Sequence, residues 1–487
     1  MMDQVVFIPR RLYENFQAFL FRPMVVMVCL ALCLAFGYVV THERFPLILA
    51  GVGGGLVALL SLYRLRWGIV LLVVVTLWVR IRFTTGTASP LVASLLLTLL
   101  LVVVWVVRLL LFEKRGRLVR SPATILLIAL GVVAVCSYVW SHIFPDPRVV
   151  ISGWWRGMAN PQVASLMVTL ASVGIALLFA DQILEEKWFR IIVMLFVLAG
   201  VHSGVQTLLG TIGLNNPFQG IPVIGTLNTG GLFRTWAMAF CAGQFLFNRE
   251  LNRRDRIILG VISALLFYEG FFRGTQWLVG WVPVLVVIGI LFLLRSPKLL
   301  LVFLILALLF VLIEQETLSS ILEAESEESG ETRLAAWETN LSMLRGHWFL
   351  GTGPAGYAAY YMTYIPNEAM ATHNNYLDVV SQYGLVGLSL IVWLFIVTGK
   401  IAIWTVRRAP RGDFMHALSA SLLAGFVATV FAMFLGDWVL PFAYTQGIAG
   451  FDYTVWGWMF IGGVVAAEQI VKSRIQGNPA AASLATL

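Results

Sequence analysis

The chain has 487 residues, of which 59% are hydrophobic and only 12% are charged, and its mean hydropathy is +0.87. A soluble protein needs far more polar surface, so the composition excludes a soluble enzyme and indicates a polytopic membrane protein. The net charge of +8 does not indicate nucleic-acid binding, because basic residues that flank apolar spans are usually topology signals. We therefore expect a lipid bilayer around the chain and no nucleic-acid partner.

Apolar runs of spanning or near-spanning length recur along the chain, by the criterion of about 20 apolar residues per span. They lie at about 24–41, 45–63, 67–83, 90–112, 121–141, 162–180, 188–212, 231–248, 256–271, 273–294, 298–316, 374–403, 416–436 and 452–471. They predict an all-α polytopic bundle of about 12–14 transmembrane helices. The predicted parts are a transmembrane bundle of about 11 helices over 1–316, an outer loop with amphipathic helices over 317–372, C-terminal transmembrane helices over 373–475 and a flexible tail over 476–487.

The distribution of basic residues predicts the orientation of the bundle. With the N-terminus inside, the cytoplasmic segments contain 24 of the 33 basic residues, so both termini are expected in the cytoplasm. The nine basic residues predicted on the outer side are Arg44, Arg80, Arg82, Arg148, Arg156, Arg234, Arg273, Arg333 and Arg345. Arg234 and Arg273 lie in apolar surroundings near the outer ends of spans, where an Arg is normally paired or lines a wet cavity. Snorkelling to lipid headgroups is the alternative.

The hydrophilic interval over 317–372 is the predicted outer loop. It opens with a run of acidic residues over 323–331 that lacks the spacing of a cation-binding loop, so we expect a solvated face and no metal site. After this run, apolar residues recur at spacings of 3, 4 and 3, at Leu334, Trp337, Leu341 and Leu344. This spacing predicts a helix that lies on the membrane surface and holds Arg333 near the lipid headgroups.

The next stretch contains glycines and tyrosines. Residues 351–356 match a dinucleotide-binding fingerprint by letters, but no strand–turn–helix unit surrounds them, so they predict a tight turn back to the bundle. Tyr357, Tyr360, Tyr361 and Tyr364 follow. Their rings could stack on sugars or anchor the loop at the membrane interface.

A polar, His-bearing helix start follows the loop and opens the apolar run at 374–403. Thr372 is the expected N-cap, which would place His373 and Asn374 in the first helical turn. A helix N-terminus favours bound anions such as diphosphate and disfavours imidazolium, so His373 would be neutral and able to accept a proton from a hydroxyl. Asp378 is about 140° away around the helix, so no dyad with His373 is expected. Gly384 would allow a close helix crossing, as would Gly387.

This helix start resembles the signature of the bacterial O-antigen ligase and O-antigen polymerase superfamily. The matching residues are His373-Asn374, then Gly384 after nine residues, then Gly387 after two more. The outer loop, with Arg333, Trp337 and Tyr357, is also similar to that family, and the resemblance is clear over about 330–390 and weaker over 225–295. The family's ligases often have Arg, three residues and Leu, whereas here Trp337 occupies the last position.

The resemblance implies a GT-C-like bundle in the bacterial cytoplasmic membrane with the active site facing outside. It implies a metal-independent inverting glycosyltransferase without a cofactor, which uses an undecaprenyl-diphosphate-linked glycan and a glycan, lipid or protein acceptor. His373 would activate the acceptor hydroxyl, Arg273 and Arg333 would hold the leaving diphosphate, and Arg234 would be a less certain third contact. Asn374, Trp337 and Tyr357 would support the site. Fixed guanidinium groups can stabilise the developing charge of a leaving diphosphate.

Other functions remain open at this point. Ligase and polymerase differ only in the acceptor, and the sequence favours a polymerase slightly. A lipid-linked oligosaccharide flippase would suit the number of spans, but it would be expected to have repeat symmetry and charges deep within several spans. A metal-dependent membrane glycosyltransferase would be expected to place acidic ligands on its first outer loop, where Glu43 is the one acidic residue of the 41–44 segment.

Overall fold

The computed structural model describes residues 64–83, 89–112, 118–214, 230, 232–273, 278–313, 315, 319, 331–364, 372–441 and 447–477. Several features predicted from the sequence lie outside these ranges. They are the two N-terminal spans, Glu43, Arg44, the acidic run over 323–330 and most of the C-terminal tail.

The regular secondary structure of the described part of the chain is helical apart from one short pair of antiparallel strands, β1 (Arg82–Phe83) and β2 (Leu91–Val92). The helices are α1 (64–78), α2 (Ala93–Val107), α3 (Pro122–Ile143), α4 (Pro147–Ile151), α5 (Trp154–Gly157), α6 (Ala159–Gln182), α7 (Glu186–Thr211), α8 (Leu232–Phe247), α9 (Arg253–Tyr268), α10 (Leu278–Arg295), α11 (Pro297–Ile313), α12 (Glu331–Met343), α13 (Tyr357–Tyr364), α14 (Asn375–Arg408), α15 (Phe414–Ala432) and α16 (Phe451–Gly477). Two π-helical segments, Arg108–Phe112 and Glu269–Arg273, continue α2 and α9.

Within the described ranges, seven helical segments are long and apolar enough to cross a membrane: those of α2, α3, α6, α7, α14, α15 and α16. Two shorter apolar helical segments belong to α10 and α11. Helices satisfy their own backbone hydrogen bonds, which lipid cannot do, so uninterrupted apolar runs fold in this way. The all-α polytopic membrane fold predicted from composition is therefore confirmed. The total number of spans stays a prediction.

The core forms where α6, α8, α15 and α16 pack together. The ring centroids of Trp236 and Phe460 lie 4.4 Å apart, and Phe196 and Phe240 pack edge-on against Phe460. The Trp236 ring covers Gly425, where a Cβ atom would overlap it. Small residues allow such close approach, which is how helices associate in lipid without a hydrophobic driving force.

One end of the bundle is fastened by ion pairs. Arg474, near the end of α16, contacts Glu186 at the start of α7 and Asp413 just before α15. Arg66 pairs with Glu185 at the same end. Because these groups are partly exposed, each pair contributes little by itself, roughly 0–1 kcal/mol. The positive-inside rule predicts that this end faces the cytoplasm.

The long helix α14 is broken at Gly384, whose φ of 68° and ψ of −170° are a conformation that glycine alone adopts readily. A Cβ atom there would overlap the Phe349 carbonyl. Beyond the break, the Leu385 amide donates to the Trp348 carbonyl (2.8 Å), and the Val386 amide donates to the Phe349 carbonyl (3.3 Å). The close approach predicted at Gly384 is therefore made by the loop before α13 rather than by a crossing helix.

The same loop satisfies the backbone carbonyls that precede the break. The Thr352 amide donates to the Ser381 carbonyl (2.8 Å), and the Gly353 amide donates to the Gln382 carbonyl (3.1 Å). The Ser137 hydroxyl of α3 also donates to the Gln382 carbonyl. The glycine-containing segment 351–356 is thus the turn that the sequence predicts, and its backbone is docked onto α14.

The tyrosines of α13 form a small separate core with Val149 and Met158. Tyr357, Tyr360 and Tyr361 are buried, while Tyr364 is 39% exposed. Burial raises the pKa of Tyr357 well above its usual value, and the nearby Asp378 acts in the same direction. The prediction that these rings could stack on sugars is therefore wrong for Tyr357, Tyr360 and Tyr361, which are packed inside the protein.

The break at Gly384 generates a stability prediction. We expect Gly384→Ala to lower the free energy of unfolding by at least about 3 kcal/mol, because the alanine would be strained at this φ and would overlap the Phe349 carbonyl. Thermal unfolding of the purified protein in detergent measures the effect. Gly399→Ala in the same helix is the control, since its added Cβ meets Phe426 at an ordinary 3.5 Å. Equal midpoints for the two variants would contradict the prediction.

Candidate active site at one end of the bundle

The helix start at His373 differs from the expectation in one respect. The N-cap is Asn374, whose side-chain oxygen accepts from the Tyr376 amide (3.0 Å), and α14 begins at Asn375. His373 therefore precedes the helix rather than lying in its first turn. Its φ is +48°, a left-handed conformation in which His is one of the better tolerated residues.

The turn that carries His373 is held on both sides. The Thr372 hydroxyl accepts from the Asn374 amide (3.3 Å) and gives its single proton to Asp378 (2.6 Å). The Thr372 carbonyl accepts from the indole N–H of Trp337 on α12 (2.7 Å). The imidazole of His373, with a side chain 39% exposed, is thus presented from a fixed backbone.

The helix predicted around Trp337 is confirmed as α12, but its contacts show a different buried face. Trp337 is half-buried and Leu344, just beyond the helix, is buried, whereas Leu341 is 38% exposed. Asn340 is buried and accepts a hydrogen bond from Ser381 of α14. The helix is therefore anchored to α14 by polar contacts in addition to its apolar residues.

Asn375 joins the start of α14 to the segment that follows α15. Its side-chain oxygen accepts from the amides of Val439 (2.7 Å) and Leu440 (3.0 Å). Its side-chain nitrogen donates to the Leu440 carbonyl (2.8 Å) and to Asp378 (2.9 Å). Its own amide donates to the Met433 carbonyl (2.8 Å). Every polar atom of this fully buried side chain therefore has the number of partners that an amide can take.

Asp378 is fully buried and surrounded by donors. One carboxyl oxygen accepts from the hydroxyls of Thr372 (2.6 Å) and Tyr357 (2.8 Å), and the other accepts from Asn375. The carboxyl group of Asp437 is near enough to interact electrostatically with that of Asp378. Two carboxyl groups that are close together repel each other when both are ionised, so such a pair favours a state in which it holds one proton.

Asp437 links this buried pair to the imidazole. Its Oδ2 atom lies 3.8 Å from Nδ1 of His373, and its side chain is fully buried. This distance is too long for a hydrogen bond and short enough for a strong electrostatic interaction in a buried setting. The expectation that Asp378 itself makes no dyad with His373 agrees with this arrangement, since Asp437 is the carboxylate nearer to the ring.

Arg234 lies in the first turn of α8 and is held by a carboxylate. Its Nη2 atom is 2.9 Å from Oε1 of Glu269, whose other oxygen accepts from the Ser203 hydroxyl of α7. Glu269 opens the π-helical segment that ends at Arg273. Nε of Arg234 is buried and makes no hydrogen bond within the described part of the chain. One edge of the guanidinium is thus fixed by Glu269.

The two other predicted phosphate-binding residues are placed by their main chains alone. Arg273 is the last residue of the π-helical segment, four residues after Glu269, and π-helical segments are frequent at functional sites. Arg333 is in the first turn of α12, the helix that carries Trp337. Their roles as diphosphate contacts stay predictions.

Contacts at Gly457 of α16 show that the start of α8, which carries Arg234, and the His373 turn lie at the same end of the bundle. A Cβ atom at Gly457 would lie 3.3 Å from Leu232 at the start of α8 and 3.8 Å from Val439. Val439 is itself bound to Asn375. We call this end of the bundle the His373 end. It is opposite the end that carries Arg474.

Sequence reasoning missed three residues of this site: Asp437, Asn375 and Glu269. Asp437 follows an apolar run, and an acidic residue in that position is a signal that could have been used. Glu269 lies near the end of another apolar run, over 256–271. Nothing in the sequence indicates that Asn375 rather than Asn374 would be the buried partner of the loop.

Two adjacent asparagines generate a stability prediction. We expect Asn375→Ala to destabilise the protein by about 3 kcal/mol or more, because it leaves several buried polar groups without a partner at roughly 1–3 kcal/mol each. Asn374→Ala removes a helix cap and should cost about 1 kcal/mol. Thermal unfolding of both variants in the same detergent tests the difference. A larger loss of stability in Asn374→Ala than in Asn375→Ala would contradict the assignment of Asn375 as the buried residue that joins the two segments.

A family model described as O-antigen ligase matches residues 258–392, a range that includes the π-helical segment and the His373 turn. Arg234 and Asp437 lie outside the matched range. A search of curated proteins gave no match. The resemblance predicted from the motif at His373 is thereby confirmed over this range, and the matched domain supports a membrane enzyme of the O-antigen ligase type.

Proposed function

We propose that this protein is an inverting glycosyltransferase of the bacterial cytoplasmic membrane. It would transfer or polymerise glycan from an undecaprenyl-diphosphate-linked donor on the outer leaflet, with both protein termini in the cytoplasm. The O-antigen ligase domain supports the general class. The observation that carries the proposal is the half-exposed imidazole of His373, fixed on a rigid turn 3.8 Å from the buried carboxyl group of Asp437.

His373 acts as the general base in this proposal. The acceptor hydroxyl gives its proton to the imidazole as its oxygen attacks the anomeric carbon of the donor sugar. The new glycosidic bond forms on the side opposite the diphosphate, the old carbon–oxygen bond breaks, and the configuration inverts. A positioned base of this kind contributes roughly 10²–10⁴-fold to the rate.

Asp437 is the group that makes the transfer of this proton favourable. An imidazolium forms as the hydroxyl is deprotonated, and a carboxylate beside Nδ1 stabilises its charge. The neutral donors around Asp378 stabilise the negative charge that the carboxyl pair shares, so the pair does not need a cation of its own. The positive charge of the His373 imidazolium then neutralises the negative charge of the carboxyl pair.

The arginines stabilise the leaving group. Negative charge grows on the diphosphate as the glycosidic bond breaks, and guanidinium groups that are already in place stabilise this charge in the transition state. We assign this role to Arg273 and Arg333. Arg234 is a third contact through the edge that Glu269 does not occupy.

The acceptor decides between polymerase and ligase. A polymerase uses a second lipid-linked glycan, whereas a ligase uses a different lipid, glycan or protein. A lipid-linked oligosaccharide flippase is the alternative from another class, and it would move the donor without breaking the glycosidic bond. The first experiment therefore uses purified protein, an undecaprenyl-diphosphate oligosaccharide, EDTA and no added acceptor. Longer lipid-linked chains would indicate a metal-independent polymerase, whereas no elongation directs the next assay to ligase acceptors.

His373→Ala tests the general base. We expect transfer to fall by at least about 10²-fold because the acceptor hydroxyl loses its proton acceptor. The assay counts product glycans, and thermal unfolding shows that the variant is folded. Turnover near the wild-type rate in a folded His373→Ala variant would remove His373 from the mechanism.

Asp437→Asn tests the carboxylate beside the imidazole. The amide has nearly the same shape but no negative charge, so we expect a folded protein whose kcat falls on the order of 10²-fold with little change in the KM for the donor. In the His373→Ala background, Asp437→Asn should cause no further loss, because both residues act on the same proton. Independent, additive losses would contradict this coupling.

Arg273→Gln and Arg333→Gln test the leaving-group contacts. Each should lower the transfer rate on the order of 10²–10³-fold, since the diphosphate loses a positioned positive charge. The control is Arg345→Gln, which removes an equal charge from an exposed residue beyond α12. Losses of similar size in all three variants would indicate a general effect of surface charge.

A further inference from the structure

A second basic corner lies at the His373 end, between α1 and α2. After α1 the chain passes through Arg80 and Arg82 into the short strand pair, in which Arg82 pairs with Val92. Arg80 is half-buried and Arg82 is exposed. Neither residue belongs to the matched O-antigen ligase range or to the proposed catalytic groups.

One buried carboxylate faces both arginines. Asp452, in the first turn of α16, interacts electrostatically with Arg80 and Arg82 and accepts a hydrogen bond from Ser94. Burial lowers the pKa of Arg80, and the charges of Asp452 and Tyr453 act against that shift. These two guanidinium groups and one carboxylate leave a net charge of +1. Asp452 is only 8% exposed, whereas Arg82 is exposed. The excess positive charge therefore lies at the surface, at Arg82.

The corner is a built part of the structure rather than a free loop. The Ile448 amide donates to the Ser89 hydroxyl (2.7 Å), and the Ala93 amide donates to the Ile81 carbonyl (3.3 Å). The segment that contains Ile448 continues from the one that binds Asn375. The backbone of the corner is therefore tied to the same connection, between α15 and α16, that carries Asp437.

The surroundings of Arg82 indicate what kind of anion fits there. Its neighbour Ile81 is 39% exposed, and Trp78, one turn before, is half-buried with its N–H bonded to His202 of α7. An exposed cation beside exposed apolar surface at a helix end matches an amphiphile that has an anionic head and an apolar tail. A soluble anion would gain nothing from Ile81.

We propose that Arg80 and Arg82 form a binding site for one lipid phosphate at the His373 end of the bundle. The single net charge matches a phosphodiester, and guanidinium groups donate to phosphate oxygens with suitable geometry. The phosphate can come from a bilayer phospholipid or from a polyprenyl phosphate. This site does not depend on the proposed transfer reaction.

Native mass spectrometry of the full chain, purified and delipidated in detergent, tests the site. The probes are dioleoylphosphatidylglycerol, undecaprenyl phosphate and dioleoylglycerol, which has no phosphate. Arg82→Gln is the main variant, because an exposed side chain can be replaced without disturbing the core. Arg345→Gln removes the same charge from another exposed residue and is the matched control.

We expect one phosphate-bearing lipid to bind the wild type and Arg345→Gln with equal affinity. Arg82→Gln should bind it at least about tenfold more weakly, because a charge-assisted contact is lost. Preference for phosphatidylglycerol or undecaprenyl phosphate would identify the source of the phosphate. Equal binding of dioleoylglycerol, an unchanged affinity in Arg82→Gln, or the same loss in both variants would overturn the proposal.

Discussion

The buried side chain of Asn375 is the interaction on which the candidate site depends. Its amide group connects the first residue of α14 to Val439 and Leu440 beyond α15, and it also binds Asp378. A buried polar group is stable only when its hydrogen-bonding capacity is satisfied, and here all of it is used. The two parts of the site, the His373 turn on one segment and Asp437 on another, are thereby held in a fixed relation. These hydrogen bonds keep the carboxyl group of Asp437 near the imidazole of His373.

The break in α14 has a related role further along the helix. A continuous helix would leave no free backbone groups for the loop that contains Thr352 and Gly353 to bind. The conformation of Gly384 exposes carbonyls and amides, and the loop pairs with them on both sides of the break. The loop connects α12, which carries Trp337, to α13, which carries Tyr357, and these two side chains contact Thr372 and Asp378. A strained glycine therefore fixes the segments that support the His373 turn.

The sequence predicted the fold class and the polar turn at His373 because both depend on local pattern. Apolar runs of spanning length determine helices, and the spacing around Trp337 determined α12. The helix start was predicted two residues early, because Thr372 and Asn374 are both good caps. The Thr372 hydroxyl instead accepts from the Asn374 amide and donates to Asp378. The neighbours of His373 could not be predicted in the same way. Asp437 comes 64 positions later in the chain and reaches the imidazole only through tertiary packing. The buried tyrosines were misjudged for the same reason.

Charged groups have different partners at the two ends of the bundle, and this difference explains why the His373 end suits chemistry. At the opposite end, Arg474 and its acidic partners neutralise one another and fasten helices together. At the His373 end, the carboxyl groups of Asp378 and Asp437 are buried, and neutral donors surround that of Asp378. A proton that arrives on His373 supplies the missing positive charge. In the proposed transfer, the buried pair would therefore stabilise the protonated imidazole more than the neutral ring that precedes it, which is what catalysis requires.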